Sequence, residues 1–206
     1  MIDTAFLITS FVTLFVIIDP IGLTPIFIAM TQGMNAQQKR SIALRATLTA
    51  VGLLALFAAL GEAVLGFVGI SMPAFRIAGG VLLFLTALDM LFERRNKRRE
   101  DRSEEDDFDD PSVFPLAIPL IAGPGSIATV ILLTGQQPGI SGFFMVMGVV
   151  FAVLGILLVM CLFSGMLERL LGKTGITVVT RLLGMLLAAL SVQFVLDGLQ
   201  AFGFAG

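Results

Sequence analysis

The chain alternates long stretches without a single charge with short stretches dense in polar or turn residues. Segments 46–60 and 143–163 are of the first kind, and such runs outlast the helices of soluble cores. Apolar runs read against turn and charge signals predict six helical spans, at roughly 5–31, 41–68, 73–92, 113–134, 141–164 and 178–202. The connections between them are 32–40, a short turn at 69–72, the charged run 93–112, "GQQPGI" at 135–140, and 166–178.

Composition turns this pattern into a class. With 57% hydrophobic and only 14% charged residues, the chain lacks the polar surface that a soluble domain of 206 residues needs. An integral membrane protein is expected, with the lipid bilayer as its first partner. The opening "MIDTAFLITSFV" has no basic n-region, so it reads as the start of a span rather than a signal peptide. A net charge of −2 gives no reason to expect nucleic acid. Histidine is absent and Cys161 is the only cysteine, which excludes disulfide frameworks, His/Cys metal sites and Ser-His or Cys-His dyads. Cys161 reads as packing, and no cofactor and no enzyme activity are expected. Trp and Tyr are also absent, so any interfacial aromatic belt must draw on the 18 Phe.

Basic residues set the expected orientation. If the spans alternate, twelve of the thirteen Lys and Arg fall on one side, leaving Arg76 alone on the other. The positive-inside rule then puts the twelve in the cytoplasm of a cell (inner) membrane, with both termini outside. The run "ERRNKRREDRSEEDDFDDPS", basic then acidic, reads as a solvated cytoplasmic loop, with a regulatory or headgroup-binding role as the alternative. It separates repeat one, 1–92, from repeat two, 113–206, within a single membrane domain.

The two halves resemble one another. "RIAGGVLLFLTAL" from Arg76 matches "RLLGMLLAALSV" from Arg181, each with Gly three residues after Arg. "DPIGLTP" from Asp19 matches "GPGSIAT" from Gly123, with Pro20 and Pro124 at nearly the same offset as the two arginines. Three spans per half gives halves of opposite membrane sense, a 3+3 inverted-topology repeat in an all-α fold. Arg76 with Glu62 or Asp197, and Arg181 with Asp89, are the expected structural charge pairs at the span ends.

Candidate chemistry sits where spans 1 and 4 should break. Asp19-Pro20 reads as an N-cap followed by Pro at the first helical position, starting a half-helix near the middle of span 1. Gly123-Pro124-Gly125-Ser126 should start a second one in span 4. Helix N-termini present free N–H groups and partial positive charge. The first carries its own carboxylate and the second none, a combination suited to a small zwitterion. Its ammonium would face Asp19 and its carboxylate the N–H groups of Gly125, Ser126 and Ile127. Gly22 and Gly123 allow close backbone approach, and Thr24, Thr129 and Gln193 are weaker lining candidates. Asp19 has two further readings, a site for a coupling proton or Na⁺ and a purely structural cap. No other metal is expected.

At these residues the chain resembles the MarC family of six-span membrane proteins. The resemblance rests on "DPIGLTPIF", "GISMPAFRIAGGVLLFLTALDML", "PLAIPLIAGPGSIATVILL" and "TRLLGMLLAALSVQF", and covers nearly all but the charged run. It implies a relative of small neutral amino acid transporters for glycine or alanine. The family pattern often has Asn where this chain has Asp19, so the resemblance carries no coupling-ion role onto it. A secondary transporter of such solutes by alternating access is therefore expected. A transporter or exporter of another small solute, or a non-transporting accessory protein, is the alternative, and a homo-oligomer is compatible with either. Asp19 and Asp89 lie at different depths, which argues against an intramembrane aspartyl protease. No G-x-x-x-x-G-K-[ST] loop supports ATP-driven transport. A cysteine introduced within 93–112, in a Cys161→Ser background, should be shielded from an impermeant thiol reagent in whole cells; ready labelling from outside would invert this topology.

Overall fold

The computed structural model describes residues 4–92 and 111–203, so the charged run from 93 to 110 lies outside the described residues, as do the side chains of Arg169 and Lys173. The described chain is built from helices in the order α1 (Thr4–Ile18), α2 (Pro20–Met30), α3 (Ala36–Val68), α4 (Met72–Leu91), α5 (Ser112–Ile121), α6 (Pro124–Gln136), α7 (Ile140–Leu162) and α8 (Ser164–Ala201). Five stretches are long and apolar enough to cross a membrane: Thr4–Met30, Ala36–Val68, Met72–Leu91, Ile140–Leu162 and Thr174–Ala201. Among the described residues the bent pair α5 and α6 passes the same test only when taken together, which gives five spans, or six if the pair is one span. The 27 residues of α1 and α2 alone reach ~40 Å, against a hydrocarbon core of ~30 Å.

Two boundaries differ from the sequence expectation, each for a local reason. α3 starts at Ala36 because Asn35 and Gln38 cap it reciprocally: Gln38 N–H donates to Asn35 Oδ1 and Asn35 N–H to Gln38 Oε1, both at 2.9 Å. Much of the expected 166–178 connection is helical, since α8 begins at Ser164 and is interrupted only by Gly172 (φ 62°, ψ 171°), a conformation that suits glycine.

Proline interrupts the bundle in two different ways. Between α1 and α2 a single residue leaves the helix: Asp19 is left-handed (φ 54°, ψ 64°). Pro20 disfavours the right-handed helix for its predecessor, and Asp tolerates the left-handed region better than most residues. Asp19 N–H still donates to Phe15 O and Leu23 N–H to Asp19 O, both at 2.9 Å, so the backbone ladder runs through the break. Asp19 Oδ1 accepts from Gly22 N–H at 3.0 Å. A β-carbon on Gly22 would run into that carboxylate. α5 is far more irregular. Phe114 and Ile118, each before a proline, are extended, and the turns close with wide i+5 bonds such as Ala122 N–H to Ala117 O at 2.9 Å. α6 then leaves at 56° to α5.

Packing combines a core of large apolar side chains, among them Leu14, Phe27, Leu54 and Leu132, with small residues where helices approach closely. On α3 the buried positions Ala43, Ala46, Ala50, Leu54, Ala58, Gly61 and Leu65 recur every three or four residues. A side chain at Gly61 would strike Ile131 of α6. α4 and α8 run antiparallel at close range: Gly198 sits against Pro73 and Ile77, Gly80 against Ser191 and Val195, and Gly184 against Ala87 and Met90. Phe67, Leu48, Phe144 and Leu182 point outward and are exposed, as expected of a surface solvated by lipid.

Two stability outcomes follow. Asp19→Asn, which keeps an acceptor for Gly22 N–H and tolerates φ > 0, should melt near wild type, whereas Asp19→Ala should lose about 1–2 kcal/mol. At Gly80 a β-carbon would come within 2.8 Å of Ser191 O, so Gly80→Leu should cost about 1–3 kcal/mol. Gly52→Ala, with no atom within 4 Å, should not destabilise. Thermal melts of detergent-solubilised protein followed by circular dichroism read all four.

Candidate functional site

The bend between α5 and α6 opens a cavity of about 710 Å³. Its floor is the turn Gly123, Pro124, Gly125 and Ser126, with Phe114 and Ile118 of α5 beside it. Its far wall is one face of α4, formed by Leu82, Leu85, Thr86 and Asp89, and Ile17 of α1 closes one side. Gly123 is the N-cap of α6, extended at φ −84° and ψ 173°, and provides no side-chain cap. A β-carbon there would lie 2.5 Å from Pro119 O, so the turn needs a glycine.

Helix geometry decides which N–H groups of α6 remain available. Pro124 has none, and Ile127 N–H donates to Gly123 O at 3.0 Å. Gly125 and Ser126 are left with no acceptor inside the helix. Ser126 Oγ donates back to Ile121 O at 2.9 Å, fastening the first turn of α6 to the last of α5 across the bend. A β-carbon on Gly125 would stand 3.4 Å from Ile17, 3.6 Å from Leu83 and 3.8 Å from Thr86 Oγ1. An alanine would therefore fit, and anything longer would enter the space between α1 and α4.

Three of the sequence-predicted binding residues, Gly123, Gly125 and Ser126, line this cavity. Ile127 is turned into the larger core cluster, its N–H spent on the helix. Asp19 is fully buried with its Oδ1 on Gly22 N–H, and neither residue is among those lining the cavity. Thr24 Oγ1 donates to Pro20 O at 3.0 Å, one turn back along α2. Thr129 is fully buried and its Oγ1 has no hydrogen-bond partner. Gln193 lies on α8 beside a second cavity, where its Nε2 donates to Asp197 Oδ1 at 2.6 Å. Arg76 Nε is buried without a hydrogen-bond partner, and Asp197 Oδ1 accepts from Gln193 on its own helix. Glu62 is exposed on α3. The seat of Gly184 on Ala87 and Met90 brings Arg181 to the end of α4 that carries Asp89.

The sequence reading placed Asp89 in a pair with Arg181 and did not count Thr86 or Asp89 among the cavity residues. A signal was present: positions 82, 85, 86 and 89 share one helical face, and two of the four are polar inside an otherwise apolar span. Thr86 Oγ1 donates to Leu82 O at 3.0 Å, which leaves its oxygen lone pairs to the cavity. Among the described residues, no group of three or more His, Cys, Asp or Glu side chains is placed to hold a metal ion.

The geometry now has company among known proteins. A family model described as MarC family integral membrane protein matches residues 4–202. The chain is 38% identical over 197 residues to a UPF0056 membrane protein of Archaeoglobus fulgidus, covering 95% of this chain and 92% of that one. It is 37% identical over 194 residues to a UPF0056 membrane protein of Aquifex aeolicus, covering 93% and 91%. The UPF0056 membrane protein YvbG of Bacillus subtilis is 34% identical over 200 residues, covering 95% of each. No solved structure matches. A match along almost the whole chain, breaks included, makes this a multi-pass integral membrane protein belonging to the MarC (UPF0056) family.

Proposed function

We propose that this protein is a secondary transporter of small neutral amino acids of the glycine and alanine kind. The observation carrying the reading is the cavity in which the uncapped start of α6, at Gly125 and Ser126, faces the Thr86–Asp89 wall of α4. The two free N–H groups and the helix dipole suit a carboxylate, and Asp89 with Thr86 suits an ammonium group. That is the role first expected of Asp19, moved to a different carboxylate, because Asp19 is occupied in holding α2. A volume of about 710 Å³ leaves room for a small amino acid together with water.

In this reading the breaks at Asp19 and at α5–α6 interrupt spans within the bilayer, and the halves 1–92 and 113–206 form an inverted repeat. The antiparallel α4 and α8, the last helices of the two halves, would then be the pair on which they rock. Alternating access needs non-helical backbone only where it lines a cavity, and the turn at Gly123–Ser126 meets that condition. The orientation that accompanies this reading places 93–112 on the cytoplasmic side of the cell membrane.

Counterflow of labelled glycine and alanine in proteoliposomes tests the proposal. Saturable exchange is expected for wild type and Gly125→Ala, with a drop of about tenfold or more in Gly125→Leu, whose side chain would fill the cavity. Asp89→Asn should weaken apparent affinity by about tenfold, the scale of a lost charge-assisted hydrogen bond. Exchange no faster than in empty liposomes would overturn the amino acid assignment. Unchanged exchange in Gly125→Leu would move the site away from this cavity.

A further inference from the structure

A second cavity, of about 460 Å³, lies between α1, α6 and α8. It stands at the opposite end of the bundle from the first. α4 and α8 are antiparallel, with Gly198 against Pro73 and Gly184 against Met90, so Gln193 and Asp197 lie level with the start of α4 and Asp89 with its end. Two helices line both spaces. α1 contributes Ile17 to the first cavity and Thr9 and Ser10 to the second, and α6 contributes Ser126 to the first and Leu133 and Gln136 to the second. Seven residues separate Ser10 from Ile17 and Ser126 from Leu133, ~10 Å along either helix. The layer between is apolar, with Val16, Leu132 and Leu187 buried in it, apart from two fully buried hydroxyls, Thr13 and Thr129. Thr13 Oγ1 donates to Thr9 O at 2.7 Å, while Thr129 Oγ1 has no partner.

The chemistry of the second cavity has one sign. Its ionisable side chain is Asp197, and among the described residues no Lys or Arg lines it. Gln136, Gln137 and Gln193 add amide oxygens, and Gln193 Nε2 donates to Asp197 Oδ1, which leaves the other carboxylate oxygen for a ligand. Ser10 also lines the space, fully buried, and its Oγ has no hydrogen-bond partner. A buried hydroxyl left unsatisfied costs free energy that a bound polar group would recover. Convergent acceptors around one carboxylate, with no cation, are the complement of a compact hydrogen-bond donor with positive charge.

We infer that the Ser10–Gln193–Asp197 cavity is a second binding site, for a primary ammonium group. The group belongs either to a small zwitterionic solute or to the headgroup of an ethanolamine lipid at the membrane surface. If the solute is the occupant, the inference rests on the transport reading above and deepens it. The site is then the far-side station from which the solute crosses the Thr13–Thr129 layer to the α6 cavity.

The experiment introduces Thr9→Cys, an exposed position lining the same cavity, into a Cys161→Ser background and follows modification by a small thiol reagent in phosphatidylcholine proteoliposomes. Methylammonium and glycine are added as soluble probes, and parallel liposomes contain phosphatidylethanolamine. Slowing of modification by the soluble probes, largely abolished by adding Asp197→Asn, supports the site with a solute as occupant. Slowing only in phosphatidylethanolamine membranes, again lost in Asp197→Asn, supports it with the headgroup as occupant. Asp197→Asn retains an acceptor for Gln193 and so keeps the local hydrogen bond. Direct binding of methylammonium to the detergent-solubilised protein should fall about tenfold or more in the same variant. No protection in either membrane, or methylammonium binding indifferent to Asp197→Asn, overturns the inference. Protection with no glycine counterflow would reject the transport reading and leave the ammonium site standing. Counterflow without Asp197-dependent protection would do the reverse.

Discussion

Every backbone N–H and C=O in a lipid-embedded chain needs a partner within the protein, and the architecture described here follows from how that requirement is met where helices stop. Asp19 leaves helical geometry, yet its N–H still reaches Phe15 O, its carbonyl still receives Leu23 N–H, and its carboxylate takes up Gly22 N–H. Thr24 returns a hydroxyl to Pro20 O. The α5–α6 bend is tied by Ser126 Oγ to Ile121 O, and by wide bonds through α5. Hydroxyls and one carboxylate thus do locally what water would do for a soluble protein.

The two interruptions solve the same problem with opposite consequences for function. The Asp19 break is closed: its acid is buried and engaged with the helix it starts. The α6 start is open, because glycine and proline supply no cap and its first residues, Gly125 and Ser126, line a cavity. The proline-rich α5 keeps the chain from continuing straight and covering them. A helix start is left open at a cavity where the capping side chain is absent, and is closed where it is present.

Close packing makes that cavity durable. Without a hydrophobic force between helices in lipid, association depends on van der Waals contact and on small residues that let backbones approach. The alanine and glycine stripe of α3, and the glycines shared between α4 and α8, provide such contact. Many further large apolar side chains, such as Phe67 and Phe144, stay exposed on the outer surface, where lipid solvates them. Among the described residues two buried clusters result, and the smaller one, with Val16, Leu83, Leu132 and Leu187, also contains Ile17 of the first cavity and Phe194 of the second.

The long apolar helices and their approximate limits were legible in the sequence because bilayer thickness imposes a length on every apolar run, whatever its neighbours are. The breaks at Asp19-Pro20 and Gly123-Pro124 were equally legible, since proline acts on its own backbone and that of its predecessor. The α6 turn was recognised for the same reason, with Ile127 included in error because the first helical hydrogen bond consumes its N–H. The partner of that turn could not be read in this way. Asp19 and Asp89 are both acids within apolar spans, and nothing local distinguishes a carboxylate that caps its own helix from one that faces a cavity. Only the seating of α4 against α6 and α8, set by Gly79 on Leu132, Gly80 on Val195 and Gly184 on Met90, brings Thr86 and Asp89 to the start of α6 and sends Gln193 and Asp197 to the other end. Local chemistry determined where the chain bends, and the packing of distant glycines decided which carboxylate the bend would face.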